Sequence, residues 1–188
     1  MISPGTLIQA AWIMLGLYWV AKAAGTKKVA VNENTGLRAF RLAMLGLMLA
    51  LLMTDWLRIG LLARRFAPRV AALAWAGVVL TWLGVGIAIW ARRTLGANWS
   101  DKVVLKVDHE LIRNGPYRYL RHPIYTGVLL AVAGTTLMIG EWRGVAAFVV
   151  VGTNYYVKAK REERILAIKF GEAFAEHKRR TGFFLPCL

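Results

Sequence analysis

Between residues 70 and 91 the chain runs for 22 residues without a charged side chain. A run of that length matches the roughly 20 apolar residues that one helix needs to cross a bilayer. Residues 1–21 form a second uncharged run ending at Lys22. It has no basic start, so it reads as a first membrane helix and not as a cleaved leader. Residues 123–140 supply another span, and residues 144–157 begin one more after the polar turn Glu141-Trp142-Arg143. Residues 42–54 are a shorter uncharged run. It continues apolar to residue 63 across Asp55 and Arg58, which would share a helical face and pair if the helix went on. The expectation is an all-α, polytopic integral membrane protein with about five transmembrane helices. Composition agrees: 57% hydrophobic and 19% charged residues exclude a disordered chain, and a single cysteine excludes a disulfide scaffold.

The net charge of +15 has two readings, nucleic-acid binding or membrane topology, and position separates them. With five spans and the N-terminus outside, 20 of the 25 basic residues fall on the inner side. Arg58, Arg64, Arg65, Arg69 and Arg143 remain outside. This positive-inside pattern accounts for the charge, and no nucleic-acid partner is expected. The compact, Arg-rich chain suggests a prokaryotic inner membrane with the C-terminus cytoplasmic.

Residues 1–91 therefore make a three-helix membrane region. Residues 92–188 hold the fourth and fifth spans, a polar segment at 92–122 and a polar C-terminal stretch from residue 158. Residues 103–107 suit a short strand or an extended crossing. From Gly144 to His177 there is no proline, so the fifth helix is expected to continue past the membrane. Tyr155, Lys158, Glu162, Leu166, Phe170 and Phe174 would then share one face. Glu162 lies about 27 Å along the helix from Gly144, near the far edge of the hydrocarbon core. On spacing alone, Glu162 and Glu163 are solvated carboxylates with Lys158, Lys160, Arg161 and Arg164 as ion partners. His109, His122 and His177 lack the cysteine or carboxylate spacing of a metal site, and none is expected.

The segment RNGPYRYLRHPIYTG at 113–127 concentrates three tyrosines, three arginines and a histidine at the mouth of the fourth span. An aromatic and basic interface belt would need such residues, but not a Gly-Pro turn or an Arg-His-Pro step. GPYRYLRHPIYTG, followed by EERILAIKFGEAFAEHKRRTGFFLP and preceded by LGANWS at 95–100, resembles the isoprenylcysteine carboxyl methyltransferase family. The related membrane phospholipid N-methyltransferases share this C-terminal architecture.

The resemblance implies methyl transfer from S-adenosylmethionine at a cytosol-facing cofactor pocket. By position it assigns cofactor contacts to His109, Leu111, Ile112, Tyr117, His122, Pro123, Tyr125, Glu162 and Glu163. Lys158 falls where the prenylcysteine enzymes carry a substrate-side arginine, and Lys158 with Arg161 are the candidate catalytic residues. Lysine offers a point charge and not a bidentate fork, and Phe174 and His177 replace two usual aromatic positions, so the departures concern the substrate. Gly84 and Gly86 are similar to a glycine pair at the cofactor site of the phospholipid enzymes, but close helix packing is the preferred reading.

The residue types suit the chemistry. Carboxylates accept hydrogen bonds from ribose hydroxyls or an ammonium, His122 or an adjacent arginine binds a carboxylate, and tyrosine faces take an adenine or a sulfonium. A lipophilic, isoprenylcysteine-like carboxylate substrate is expected to enter from the bilayer, with membrane lipids as the other partners. Rival readings are a phospholipid N-methyltransferase, a thiol S-methyltransferase, an NADPH-dependent membrane reductase and a non-enzymatic lipid-binding protein. The methyl acceptor, any general base among Glu163, His109 and His177, and the oligomeric state stay open.

Overall fold

A computed structural model describes residues 2–22, 35–96, 99 and 110–187. Its regular elements are helices α1 (Pro4–Ala21), α2 (Thr35–Met53), α3 (Ala71–Leu95), α4 (Pro123–Ile139), α5 (Trp142–Phe170) and α6 (Glu172–Arg180). Short 3-10 turns lie at Gly60–Ala63 and Gly115–Arg118. No strand occurs among the described residues, and the candidate strand at 103–107 lies outside them. By length and composition, α1, α2 and α3 are able to cross a membrane; α4 is apolar but only 17 residues long.

Local chemistry sets the ends of these helices. The Ser3 hydroxyl caps α1 by accepting from the Thr6 amide at 3.1 Å, with Pro4 opening the helix. Pro123 opens α4 in the same way. Gly140 closes α4 at φ 64°, and Gly171 separates α5 from α6 at φ 51°; glycine enters this region at little cost.

Antiparallel α3 and α4 form the centre. Gly77 and Gly84 on α3 face Gly134 and Gly127 on α4, and a Cβ at any of the four would run into the backbone opposite. The seven-residue spacing repeats on both helices, so two backbones touch over two turns, the arrangement that small residues permit in membranes. A Cβ on Gly86 would meet nothing within 4 Å, so of the pair Gly84 and Gly86 only Gly84 packs. Thr81 and Thr135 lie in this seam, and Trp12 of α1 donates its indole N–H to Thr135 at 3.1 Å.

Three expectations change. The second span is α2, which starts seven residues earlier than the uncharged run and stops at Met53. Arg38 and Arg41 ride on its first turns, where long cationic side chains can reach the interface. The apolar continuation to residue 63 is a loop and 3-10 turn, so Asp55 and Arg58 share no helical face. Arg58 instead pairs with Glu141 at 2.9 Å, while Asp55 pairs with Arg143 at 3.4 Å. Glu141 is 2% exposed and also pairs with Arg143 at 2.9 Å, which ties the loop to the start of α5. Finally, the break at Gly171 puts Phe174 on α6, off the α5 face expected to carry it.

Candidate functional site

The opposite end of the bundle collects the α3 C-terminus, the α4 N-terminus, the second half of α5 and the chain after α6. Its centre is His122, which precedes α4 and is 6% exposed. His122 Nδ1 lies 3.6 Å from Oε2 of Glu162, and Nε2 lies 3.4 Å from Oε1 of Glu163. The imidazole thus sits between consecutive carboxylates of α5. Its buried Nε2 makes no hydrogen bond despite that proximity.

Tyr125 stands one turn into α4 and donates its hydroxyl to Oε1 of Glu162 at 2.7 Å. Its ring stacks on His122 at a centroid distance of 5.5 Å and on Tyr155 of α5 at 4.5 Å. Tyr117 is brought in by the Gly115–Arg118 turn, and with Ile112 it packs against Ala91, Ile124, Tyr125 and Ala159. Gly115, at φ 54°, is required for that turn. Burial, and after it the charge of Glu162, pushes the Tyr117 hydroxyl well above the ordinary phenol range, so it stays protonated.

Glu163 faces a different neighbourhood. Arg121 donates Nε–H to it at 2.6 Å, and Lys178 of α6 lies 3.5 Å away. Burial opposes ionisation of Glu163, but His122 and Arg121 outweigh it and bring the carboxyl to about 2. Arg121 also donates to the carbonyls of Lys178 and Thr181. Backbone bonds Arg121 N–H to Gly182 and Gly182 N–H to Tyr119 continue the attachment, and the Thr126 hydroxyl donates to the Phe184 carbonyl. Phe183 and Phe184 therefore rest edge-on against His122, at 5.0 and 6.1 Å.

Of the expected cofactor contacts, Ile112, Tyr117, His122, Pro123, Tyr125 and Glu162 come together here. Leu111 is half-buried just before the turn. Glu163 is buried on the α6 side, where Arg121 holds it. His109 lies outside the described residues. The adjacent arginine considered as a carboxylate ligand, Arg121, is committed to Glu163 and to backbone carbonyls. His177, a candidate base, is buried on α6, where burial first, then Arg113 and Arg121, lower its basicity.

Arg92, Phe183 and Phe184 were not anticipated, and Tyr155 was expected on the Glu162 face of α5 but not as a stacking partner of Tyr125. Arg92 is 4% exposed, donates to the Lys22 and Gly96 carbonyls at 2.8 and 2.9 Å, and lies 4.3 Å over the Trp99 ring. A basic residue closing an uncharged run was the available signal for Arg92. The tail aromatics gave none.

Lys158 approaches Glu162 at 3.9 Å and lies 5.4 Å over the Tyr125 ring. With Arg161 and Arg41 it forms the cationic part of a cavity of about 340 Å³ between α2 and α5, whose other walls include Leu37, Phe40 and Met44. Lys158 is the lining residue that links this cavity to Glu162. Among the described residues no group of three or more His, Cys, Asp or Glu is placed to hold a metal.

Residues 72–173 match the family model described as phospholipid methyltransferase. The chain is 29% identical over 117 residues to a probable protein-S-isoprenylcysteine O-methyltransferase of Oryza sativa subsp. indica, covering 61% of each chain. It is 28% identical over 140 residues to the protein-S-isoprenylcysteine O-methyltransferase of Homo sapiens, covering 71% of this chain and 49% of that one. The chain thus spans between about half and three-fifths of the length of these relatives. Its fold is similar to the eukaryotic intramembrane Ras methyltransferase ICMT, with a TM-score of 0.51, 19% identity and coverage of 96% of this chain and 75% of that one. With its three apolar helices and that intramembrane fold, the protein is an integral membrane protein. The chain belongs to the phospholipid methyltransferase family, and its resemblance within it is to the isoprenylcysteine O-methyltransferases.

Proposed function

We propose that the protein is an S-adenosylmethionine-dependent methyltransferase that esterifies the carboxylate of a lipophilic, isoprenylcysteine-like substrate. Residues 1–91 provide membrane scaffold and residues 92–188 the catalytic region. Five spans, an N-terminus outside and a cytoplasmic His122 end complete the topology, in a prokaryotic inner membrane. The observation that carries the reading is the Tyr125–Glu162 pair beside His122, set next to a cationic cavity between α2 and α5.

The site fits the donor's chemistry. Glu162 is part-exposed, and Oε2 accepts no hydrogen bond from Tyr125, so it has acceptor capacity for ribose hydroxyls or the ammonium. His122 Nε2 lies 3.4 Å from Glu163 without forming a hydrogen bond, which leaves polar capacity at the site. Tyr117, Tyr125 and Ile112 would wall the adenine or face the sulfonium. When bound, S-adenosylmethionine supplies an electrophilic methyl group. Lys158 and Arg161 would hold the acceptor carboxylate at the cavity's inner end and fix its line of approach, the main requirement of a displacement reaction. The surrounding aromatics exclude water from that end.

The family model gives the phospholipid N-methyl reading its weight. An ammonium acceptor, however, must lose a proton first. Glu163, at about 2, is a poor acceptor for that proton, and Lys158 and Arg161 repel a cation. A carboxylate meets neither obstacle.

The test is calorimetric titration of detergent-purified protein with S-adenosylmethionine, S-adenosylhomocysteine and NADPH, then methylation of a lipophilic carboxylate, phosphatidylethanolamine and a thiol. Binding of the first two and labelling of the carboxylate is the expected result. NADPH binding alone overturns the class, and labelling of phosphatidylethanolamine alone overturns the acceptor.

A further inference from the structure

On the face of α5 turned away from Tyr125, α6 folds back at Gly171 and leaves a groove of about 730 Å³. Ala167 and Phe174 give it an apolar floor, and Lys160, Arg161, Arg164 and Lys178 line its walls. Its one acid, Glu163, is already ion-paired to Arg121 and 5% exposed, so the charge offered to a ligand is strongly positive. Among the described residues no carboxylate lies within salt-bridge distance of Lys160, Arg161 or Arg164, whereas Arg179 and Arg180 pair with Glu172 and Glu176.

The depth of the groove is a second, independent observation. α5 begins at Trp142, and Lys160 lies about 27 Å further along the helix and Arg164 about 33 Å. These positions bracket the far edge of a hydrocarbon core about 30 Å thick, where headgroup phosphates lie. Tyr156 is 51% exposed and Val157 43% exposed, so the lip of the groove continues into an apolar surface facing the acyl chains. Positive walls at phosphate depth above an apolar lip fit a diacyl phospholipid whose headgroup bears net negative charge. A soluble anion gains nothing from the lip, and a zwitterionic headgroup gains less from the walls.

We propose that the α5–α6 groove is a binding site for an anionic phospholipid of the same leaflet, on the other side of α5 from the Tyr125–Glu162 pair, with Arg161 and Glu163 bordering both. Its phosphate is held by Lys160 and Arg164, and its chains pass over Tyr156 and Val157. The proposal requires the membrane setting of α5 but not methyl transfer, so it stands or falls independently of the enzymatic reading.

Native mass spectrometry of the detergent-purified full chain tests it, with phosphatidylglycerol and phosphatidylcholine of identical acyl chains and with inorganic phosphate as competitor. Phosphatidylglycerol is expected to be retained more tightly than phosphatidylcholine, and the double variant K160Q/R164Q to lose that preference by about tenfold or more. R179Q/R180Q removes the same charge from residues outside the groove and is expected to retain it. Equal retention of the two lipids, equal loss in both double variants, or displacement by millimolar inorganic phosphate overturns the proposal. Thermal unfolding of each variant shows whether the helices remain folded.

Discussion

The Tyr125 hydroxyl on α4 and the Glu162 carboxylate on α5 meet at 2.7 Å, and that contact joins the two halves of the RHPxY and EE signatures in space. The two residues are separated by 36 intervening positions, yet both meet His122: the Tyr125 ring stacks on it, and Glu162 lies 3.6 Å from its Nδ1. The bond fixes one carboxylate oxygen and leaves the other beside the imidazole.

Tyr125→Phe keeps the stacks on His122 and Tyr155 and deletes only this bond. A hydrogen bond to a charged group contributes about 1.5–3 kcal/mol, so S-adenosylmethionine affinity should fall by about tenfold or more. Glu162→Ala should abolish it. Calorimetry reads both, and unchanged affinity in either variant removes Glu162 from the cofactor assignment.

Gly84→Ala and Gly134→Ala should each lower the thermal stability of the purified protein, by about 1–3 kcal/mol, because the added methyl meets backbone. Gly86→Ala is the matched control, since its Cβ would meet nothing within 4 Å. If the Gly86 and Gly84 variants melt together, the α3–α4 seam is not the determinant described above.

The pH dependence follows from Glu163 and His177. Glu163 is lowered to about 2 from an ordinary 4.5, so its ionised form contributes stability that is complete above about 4.5 and is lost as pH falls towards 2. Glu163→Gln should flatten the unfolding profile in that acid window. His177 is also lowered, so the fold favours its neutral form, and stability should decline as pH falls below about 6.5. His177→Gln should remove that earlier slope.

Lys158→Ala should raise the KM for a lipophilic carboxylate by more than it weakens S-adenosylmethionine binding, since it removes the substrate's cation together with one long contact to Glu162. Lys158→Arg should restore the KM, because the planar fork suits a carboxylate. A kcat loss with unchanged KM would assign Lys158 to the reaction and not to substrate binding.

Glu141→Ala leaves Arg58 and the buried Arg143 without their shared partner at the other end of the bundle. Removing one side of a buried ion pair costs about 3–5 kcal/mol, so this substitution should be the most destabilising of the set. Arg69→Ala should be nearly silent, because Arg69 is 71% exposed and 4.0 Å from Glu141.

Much of this was legible residue by residue. Uncharged runs located α1, α3 and α4, because a membrane helix must be apolar along its whole length. α2 was harder: Arg38 and Arg41 lie inside the helix, so charge did not mark its start. Glu162 and Tyr125 were legible through the motif, and the family resemblance agrees with the family match. The pairing of Arg121 with Glu163 was not, since nothing local distinguishes one arginine of RYLRHP from another. The docking of Phe183 and Phe184 was equally silent, because it depends on a long-range crossing at Arg121 and Gly182 that carries no periodicity.

That crossing has a consequence for biosynthesis. The aromatic wall around His122 comes from Tyr125 on α4 and from Phe183 and Phe184 in the tail after α6. Translation proceeds in that order, and each span is threaded into the bilayer as it emerges. The glycine seam between α3 and α4 is available as soon as Ile139 has left the ribosome, so the scaffold can set early. Arg121 must then wait until Thr181 and Gly182 arrive to receive it, and His122 until Phe183 and Phe184 cover it. A nascent chain halted before that point would carry an assembled bundle and an unfinished pocket.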